Sequence, residues 1–373
     1  MTRRDFSGVN RIVVKVGSST LSHATGKLNL NRMEQLVREL ADLRNQGKEV
    51  VLVSSGAQAA GIGKLGLARK PRTIPEKQAT AAVGQGILMH MYEKLFAEYG
   101  VVVAQVLLTR EDMSDRKRFL NARNALNALL DYEAIPVINE NDTIAVDEIK
   151  LGDNDTLSAL VACLIDADLL LILSDIDGLY SGNPQENPDA ALINEVEEIT
   201  PEIESLAGGA GSGLGTGGMA TKLLAGRIAI NSGFPMVIAN GRKAGVIRRV
   251  VAGEPMGTLF LPRENRLQIK KKWIAFGSSV QGRIIVDGGA GRALLEHGKS
   301  LLPSGVVDVE GCFGIGNTVS VVCGSGEIAR GIVNYPSEEI IRIKGKKTSE
   351  IKKILGYKDY DEIIHRDNLV VSL

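Results

Sequence analysis

The stretch from residue 135 to residue 165 constrains the fold most strongly. It opens with a short apolar run at 135–138, passes through polar residues at 139–142 and the motif Gly-Asp-Asn-Asp at 152–155, and ends in an apolar run at 157–165. A buried strand that leads through such a loop into a helix places polar side chains at a strand's C-terminal edge, where open α/β sheets bind ligands. We therefore expect a ligand site at this motif.

Short apolar runs alternate with helical patterns through the first two thirds of the chain. Met33, Leu36 and Leu40 recur at helical spacing between a capping Asn29 and Gly47. Strands that alternate with helices predict an α/β fold, in which a mostly parallel sheet carries helices on both faces. The predicted strands are 11–16, 49–53, 101–107, 135–138, 169–173 and 235–238.

The last quarter of the chain has a different pattern. A charged stretch at 263–279 is suited to a linker, and the short strand-like runs that follow it predict a small β-rich domain. Those runs lie at 282–286, 306–309, 318–322 and 327–333. The predicted organisation is an α/β domain at 1–262, a linker at 263–279, a β-rich domain at 280–358 and a C-terminal tail at 359–373.

Composition disfavours two classes of partner. The 373 residues carry 44 basic and 44 acidic side chains, so no overall basic field would hold nucleic acid non-specifically. No uncharged stretch reaches about 18 residues and no secretory signal begins the chain, so we expect a cytoplasmic protein that does not enter membranes. Cys163, Cys312 and Cys323 lack metal-ligand spacing and are predicted to be core residues.

Two loops that follow predicted strands are suited to anions. Lys15 stands just before the turn Gly-Ser-Ser-Thr at 17–20, and a lysine within an apolar run is costly unless it is paired. Phosphate binding is the favoured interpretation, and a lysine at the end of an edge strand is the alternative. The second loop, Ser-Ser-Gly-Ala at 54–57, is suited equally to a substrate carboxylate and to a simple helix cap.

A third candidate is the glycine-rich segment at 208–222, which ends in Met-Ala-Thr-Lys and runs into a helical pattern. A flexible loop that feeds a helix N-terminus, with Lys222 in the first turns, is suited to wrapping phosphates. The segment does not match G-x-x-x-x-G-K-[ST] and does not follow a strand directly, so it is not a P-loop. A disordered linker is the alternative interpretation.

Taken in order, these motifs resemble those of the amino acid kinase family. The resemblance covers nearly the whole chain and rests on Lys15 with Gly17, Val-Ser-Ser-Gly-Ala, Val-Ile-Asn-Glu-Asn-Asp, Gly-Asp-Asn-Asp, Ser174-Asp175 and Gly-Thr-Gly-Gly-Met-Ala-Thr-Lys. Within the family, the chain is most similar to the enzymes that phosphorylate the side-chain carboxylate of L-glutamate with ATP. That reaction is the first step of proline biosynthesis. The β-rich C-terminal part resembles a PUA domain.

The resemblance implies roles for particular residues. Lys15 and Lys222 would contact the transferred phosphoryl group while Asp155 holds both ammonium groups, with a helix N-cap as the alternative role for Asp155. The substrate-binding residues it implies are Ser55, Asp142 and Asn154. Those it implies for ATP are Lys15, Ser174, Asp175, Thr216, Gly217, Gly218, Met219, Ala220, Thr221 and Lys222. Mg2+ is expected on the ATP phosphates, and no protein ligand is assigned to it.

The resemblance also implies a homo-oligomer and feedback inhibition by proline. PUA domains elsewhere often bind RNA, and this C-terminal part has a local basic cluster formed by Lys344, Lys346, Lys347, Lys352 and Lys353. A solvated helix surface is the favoured interpretation of the cluster, because it has little aromatic interleaving on which bases would stack. RNA binding is the less favoured alternative.

The chemistry of a carboxylate acceptor agrees with the shortage of histidine in these motifs. A glutamate side chain, with a pKa of about 4.3, is already an anionic nucleophile at neutral pH, so phosphoryl transfer to it needs no general base. None of the four histidines, His23, His90, His297 and His365, lies in a motif. The barrier is instead electrostatic, and two fixed lysines would offset the repulsion between carboxylate and triphosphate.

Overall fold

A computed structural model describes residues 4–371 except for 24, 26, 115, 146–153, 183, 185, 186, 188, 207–217, 263–279 and 325. The chain divides into two compact units, Met1–Arg263 and Glu264–Leu373. Each unit has its own apolar core. No helix among the described residues is both long enough and apolar enough to cross a membrane.

The N-terminal unit is built on an eight-stranded sheet with the order β3-β4-β2-β1-β5-β7-β8-β6. All pairings are parallel except that of β7 with β8. The predicted mostly parallel sheet is therefore confirmed. The strands are β1 (Arg11–Val16), β2 (Glu49–Ser54), β3 (Val103–Leu108), β4 (Ile135–Glu140), β5 (Leu169–Ser174), β6 (Glu195–Val196), β7 (Met236–Asn240) and β8 (Thr258–Phe260).

Helices cover both faces of this sheet. The helices are α1 (Ser18–Leu21), α2 (Leu30–Asn45), α3 (Ala57–Leu65), α4 (Ile74–Ala97), α5 (Arg110–Ser114), α6 (Arg116–Asp131), α7 (Asn154–Leu164), α8 (Pro201–Ser205), α9 (Met219–Ser232) and α10 (Val246–Val251). Alternate residues of β1 show the layering, since Val14 packs in the core with α2, α4 and α10 whereas Val13 packs with α6, α7 and α9. Such burial on both faces explains why the central strands read as continuous apolar runs.

The C-terminal unit is a five-stranded sheet with the order β10-β9-β11-β12-β13 and three short helices. The strands are β9 (Arg283–Val286), β10 (Val306–Glu310), β11 (Thr318–Cys323), β12 (Gly326–Ile332) and β13 (Leu369–Val371). The helices are α11 (Gly288–His297), α12 (Ser337–Ile343) and α13 (Ile351–Leu355). The predicted β-rich domain is therefore present.

Two sequence-based expectations need correction. The segment 359–373 is not a tail, because Ile363 and Ile364 are fully buried in the core of the C-terminal unit and β13 pairs with β12. The three cysteines are not fully buried core residues, since Cys312 is exposed and Cys163 and Cys323 are partly exposed. The predicted linker at 263–279 lies outside the described residues.

Candidate active site

The functional side chains meet at one edge of the first sheet. Strands β4, β2, β1, β5 and β7 are consecutive and parallel, so their C-terminal ends lie side by side. The chain passes from β1 to β2, β3 and β4 on one side of β1 and then continues to β5 and β7 on the other side. Such a switch in strand order opens a crevice at the carboxyl ends of the strands, where α/β proteins bind ligands.

The centre of this edge is a buried ionic cluster of Lys15, Asp155 and Lys222. Lys15 Nζ lies 2.5 Å from Asp155 Oδ1, and Lys222 Nζ lies 3.0 Å from Asp155 Oδ2. The exposed fractions are 4% for Lys15, 0% for Asp155 and 6% for Lys222. Since β1 is a central strand, the edge-strand alternative for Lys15 is wrong. Asp155 is the second residue of α7, so it is not the helix N-cap.

These three side chains, within the part of the chain that the structure describes, carry two positive charges and one negative charge. Burial of an unbalanced charge is costly, so a cluster with an excess positive charge favours an anion beside it. The Thr221 hydroxyl donates to Asp155 Oδ2 over 3.0 Å, which fixes the carboxylate further. The three groups come from β1, α7 and the first turn of α9, and they form a rigid cationic surface.

A hydrogen-bonded network of amides and hydroxyls adjoins the cluster through Asn154, which precedes Asp155 in α7. Asn154 Nδ2 lies 2.9 Å from Ser55 Oγ, 3.0 Å from the Ser54 carbonyl and 2.9 Å from Asn139 Oδ1. Gly56 has φ of +102° and starts α3 without a side-chain cap, so Ser55 is not acting as a helix cap. The fold therefore brings Ser55 and Asn154 into direct contact, as a shared role in substrate binding requires.

The sequence interpretation missed two members of this network. Asn139 is 4% exposed and ends the strand motif Val-Ile-Asn, and its Nδ2 donates to Gln85 Oε1 on α4 over 2.8 Å. Asn139 lies within a recognised motif, and a polar side chain at the end of an apolar strand could have identified it as a site residue. Gln85 lies in no motif, and its part in the site is apparent only from the fold.

Asp142, the third residue predicted to bind substrate, lies two residues beyond the end of β4 and is partly exposed. This position places it in the loop that leaves the sheet edge beside Asn139. The motif residues Gly152 and Asp153 lie outside the described part of the chain.

The described residues predicted to bind the nucleotide lie in β1, at the end of β5 and at the start of α9. Ser174 ends β5, and its hydroxyl donates to Asp175 Oδ1 over 3.3 Å. Gly218 occupies the N-cap position of α9 and has no side-chain cap, and Met219–Lys222 form the first turn. Uncapped N–H groups at a helix N-terminus favour phosphate. The predicted residues Thr216 and Gly217 lie outside the described residues.

A second acidic group beside β5 is Asp177. Asn240 Nδ2 donates to it over 2.9 Å and Lys243 Nζ lies 3.0 Å away. The hydrogen bond from Asn240, together with Lys243, lowers the pKa of Asp177 below its usual value. Asp177 is therefore ionised at neutral pH and fixes the loops after β5 and β7 relative to each other. Within the described residues, no group of three or more His, Cys, Asp and Glu side chains could hold a metal ion.

Comparisons with known proteins agree with this geometry. Residues 10–240 match the amino acid kinase family and residues 282–355 match the PUA domain. A glutamate 5-kinase of Moorella thermoacetica is 61% identical over all of both chains, and one of Carboxydothermus hydrogenoformans is 58% identical over 99% of each. A crystal structure of UMP kinase from Bacillus anthracis aligns with a TM-score of 0.48 at 18% identity, over 68% of this chain and 97% of that one.

Proposed function

This chain belongs to the amino acid kinase family, and we propose that it transfers the terminal phosphoryl group of ATP to the side-chain carboxylate of L-glutamate. The product is L-glutamyl 5-phosphate, and the reaction is the first step of proline biosynthesis. The observation that carries the proposal is the buried cluster of Lys15, Asp155 and Lys222 at the carboxyl edge of the sheet. The curated relatives that share more than half of its sequence over their full length support the choice of glutamate.

In the proposed reaction, a glutamate carboxylate oxygen attacks the terminal phosphorus of ATP. The bond between that phosphorus and the bridging oxygen breaks, and ADP leaves with the bond's electron pair. The nucleophile is already ionised at neutral pH, so no side chain has to remove a proton. The Asp155 carboxylate is paired with two ammonium groups, so the proposal gives it a positioning role and not that of a base.

The protein's contribution is position and charge. Lys15 and Lys222 approach the transferred phosphoryl group from fixed points, because Asp155 pairs with both and Thr221 restrains the carboxylate. Fixed charges of this kind stabilise a transition state without reorganising during the reaction. They also offset the repulsion that a carboxylate meets when it approaches a triphosphate.

We assign ATP to the loops after β5 and β7 and to the first turn of α9. Ser174, Asp175 and residues 218–222 lie on this side, and the open N-terminus of α9 is suited to phosphate. Mg2+ fits as an ion carried on the ATP phosphates, where it supplies further positive charge. The described residues contain no acidic cluster that would act as a separate protein cage for it.

We assign the amino-acid end of glutamate to Ser55, Asn154 and Asp142. A hydroxyl donor suits the α-carboxylate, whereas an amide oxygen and a carboxylate suit the α-ammonium group.

We further propose that proline competes for the contacts assigned to glutamate. We also propose that the enzyme is a cytoplasmic homo-oligomer and that the basic cluster of the PUA domain is a solvated surface. Within that cluster, Lys344 pairs with Asp308 at 2.7 Å.

Trapping the acyl phosphate tests the proposed reaction directly. Purified protein supplied with ATP, magnesium, L-glutamate and hydroxylamine is expected to form the γ-hydroxamate together with one ADP for each hydroxamate. L-aspartate, L-glutamine and N-acetyl-L-glutamate serve as matched alternatives that alter the chain length, the acceptor or the α-amino group. A preference for any of these three over L-glutamate would contradict the proposal.

Substitution of Ser55 or Asn154 by alanine is expected to raise the KM for glutamate about tenfold and leave the KM for ATP nearly unchanged. Loss of one hydrogen bond to a charged ligand group accounts for an effect of this size. Proline inhibition should weaken in parallel, because proline has the same carboxylate and a similar ammonium group. Ser205→Ala, on the exposed surface of α8, is the control. Unchanged proline inhibition beside lost glutamate affinity would indicate a separate proline site.

Removal of residues 263–373 is expected to leave a folded enzyme with kcat within about threefold of the full chain. All the residues assigned to the reaction lie at or before Lys222, and the cores of the two units contain different residues. Steady-state hydroxamate kinetics and light scattering measure the outcome. A monodisperse truncated protein without activity would mean that the PUA domain contributes to the active site.

A further inference from the structure

The network around Asn154 has a fixed direction of hydrogen bonding. Asn154 Nδ2 has two protons, and three acceptors surround it at 2.9–3.0 Å: Ser55 Oγ, the Ser54 carbonyl and Asn139 Oδ1. With both protons committed there, Asn154 has its Oδ1 to present to a ligand as an acceptor. An amide nitrogen does not accept a hydrogen bond, so the Ser55 hydroxyl proton does not point at Asn154 Nδ2 and is available to a ligand as a donor.

The Ser54 carbonyl oxygen and Asn139 Oδ1 set this direction together, and the second of them depends on the orientation of the Asn139 amide. If the Asn139 amide were reversed, its NH2 group would face Asn154 Nδ2, and two donors would oppose each other in a buried position. The backbone N–H of Glu140 opposes the reversal, because it donates to Asn139 Oδ1 at 2.9 Å. In this orientation Asn139 Nδ2 donates to Gln85 Oε1 at 2.8 Å, so both ends of the Asn139 amide are satisfied. Gln85 supplies a side-chain acceptor to Asn139, and it lies on α4, whereas Asn139 lies on β4.

The position of Gln85 is itself fixed by close helix packing. Its neighbour Gly84 lies so near α3 that a Cβ atom there would fall 1.6 Å from the Ala57 carbonyl oxygen. The α4 backbone is therefore held against the first turn of α3, which directly follows Ser55 and Gly56. This contact sets the distance between Gln85 and the loop that carries Ser55.

We propose that Gln85 is a positioning residue for amino-acid binding. By accepting from Asn139 Nδ2, it satisfies and restrains the Asn139 amide in the orientation that the Glu140 N–H sets. It thereby supports a relay, Gln85–Asn139–Asn154–Ser55, which presents Asn154 Oδ1 to the α-ammonium group of the substrate and the Ser55 hydroxyl to the α-carboxylate. Gln85 acts through Asn139 and does not touch the reacting atoms. The inference rests on the proposed phosphorylation of L-glutamate and adds a determinant of how the free amino acid is recognised.

Two substitutions that differ in hydrogen bonding separate this role from simple packing. Gln85→Met keeps the length and removes the acceptor, and it is expected to raise the KM for glutamate about tenfold with kcat and the KM for ATP changed less than about threefold. Gln85→Glu retains an acceptor oxygen and is expected to keep the KM for glutamate within about threefold of the wild type. Gln85→Ala should behave as Gln85→Met does, and it replaces that variant if Gln85→Met does not fold.

Glu93→Gln, on the exposed surface of the same helix, is the control for general effects of changing α4. In an Asn139→Ala background, Gln85→Met should add no further loss of glutamate affinity, because the relay is already broken. Suppose that the wild type phosphorylates glutamate. A normal KM for glutamate in Gln85→Met would then overturn the relay alone, and so would an equal rise of that KM in Gln85→Met and Gln85→Glu. A wild type that forms no hydroxamate from glutamate would overturn the proposed function, and the relay with it.

Discussion

Replacing Lys222 with alanine is expected to lower kcat about 10²- to 10³-fold while the KM for glutamate changes little. The ammonium group lies in the first turn of α9 beside Asp155. The proposed reaction places it against the transferred phosphoryl group, where charge develops in the transition state. Loss of one preorganised donor at such a position commonly reduces kcat by this factor. A fall in kcat without a matching rise in KM is the kinetic sign of an interaction made chiefly in the transition state.

The charge count indicates that this variant will fold. Without Lys222, the cluster keeps one carboxylate and one ammonium group, Asp155 and Lys15, at 2.5 Å, so the buried charges balance. Circular dichroism should therefore resemble that of the wild type. Lys64→Ala, on an exposed part of α3, is the matched control and should retain full activity. Near-normal kcat with a large rise in the KM for glutamate would show that Lys222 binds substrate and is not the transition-state group.

The sequence predicts the backbone of the N-terminal unit well because hydrophobic patterns decide it. Strand β5 is buried along its full length and reads as an uninterrupted apolar run, and Asn29 caps α2 by accepting from the Arg32 N–H as expected. Lys15 was identifiable because a charged residue inside such a run needs a partner. The partner's identity, Asp155, came from family resemblance, since no local pattern joins positions 140 residues apart.

The parts that the sequence did not predict depend on contacts between distant segments. Gln85 lies on a helix whose packing is set by Gly84, and nothing in its neighbourhood marks it as a relay member. The segment 359–373 was expected to be a C-terminal tail. Its pairing with β12 becomes evident only when the sheet is assembled. In both cases, long-range packing decides the role, and local composition is uninformative.

Asp155→Asn is expected to produce the largest combined loss of stability and activity. The substitution keeps the shape of the side chain but leaves Lys15 and Lys222, both nearly inaccessible to solvent, without their shared counter-ion. Removing one partner of a buried ion pair typically costs about 3–5 kcal/mol, because the remaining charge has already lost its hydration. Activity should fall by at least about 10²-fold, since both lysines lose the group that positions them.

Chemical denaturation followed by far-UV circular dichroism measures the change in the free energy of unfolding. Asp131→Asn, at the exposed end of α6, is the matched control and should change stability by less than about 0.5 kcal/mol. A stability loss in Asp155→Asn no larger than that of the control would contradict the assignment of Asp155 as the shared counter-ion. It would mean that water or a neighbouring group already balances the lysines.

A double variant separates the electrostatic effect from any change in packing. In Asp155→Asn/Lys222→Met, one of the two ammonium groups that lose the Asp155 carboxylate is itself removed. The double variant should therefore be destabilised by less than the sum of the two single variants, with a coupling of about 0.5–3 kcal/mol for groups in direct contact. Additive losses would show that Asp155 stabilises the fold through its fit within α7, independently of the lysines. A favourable coupling would establish that the enzyme maintains two buried cations at the sheet edge through one carboxylate.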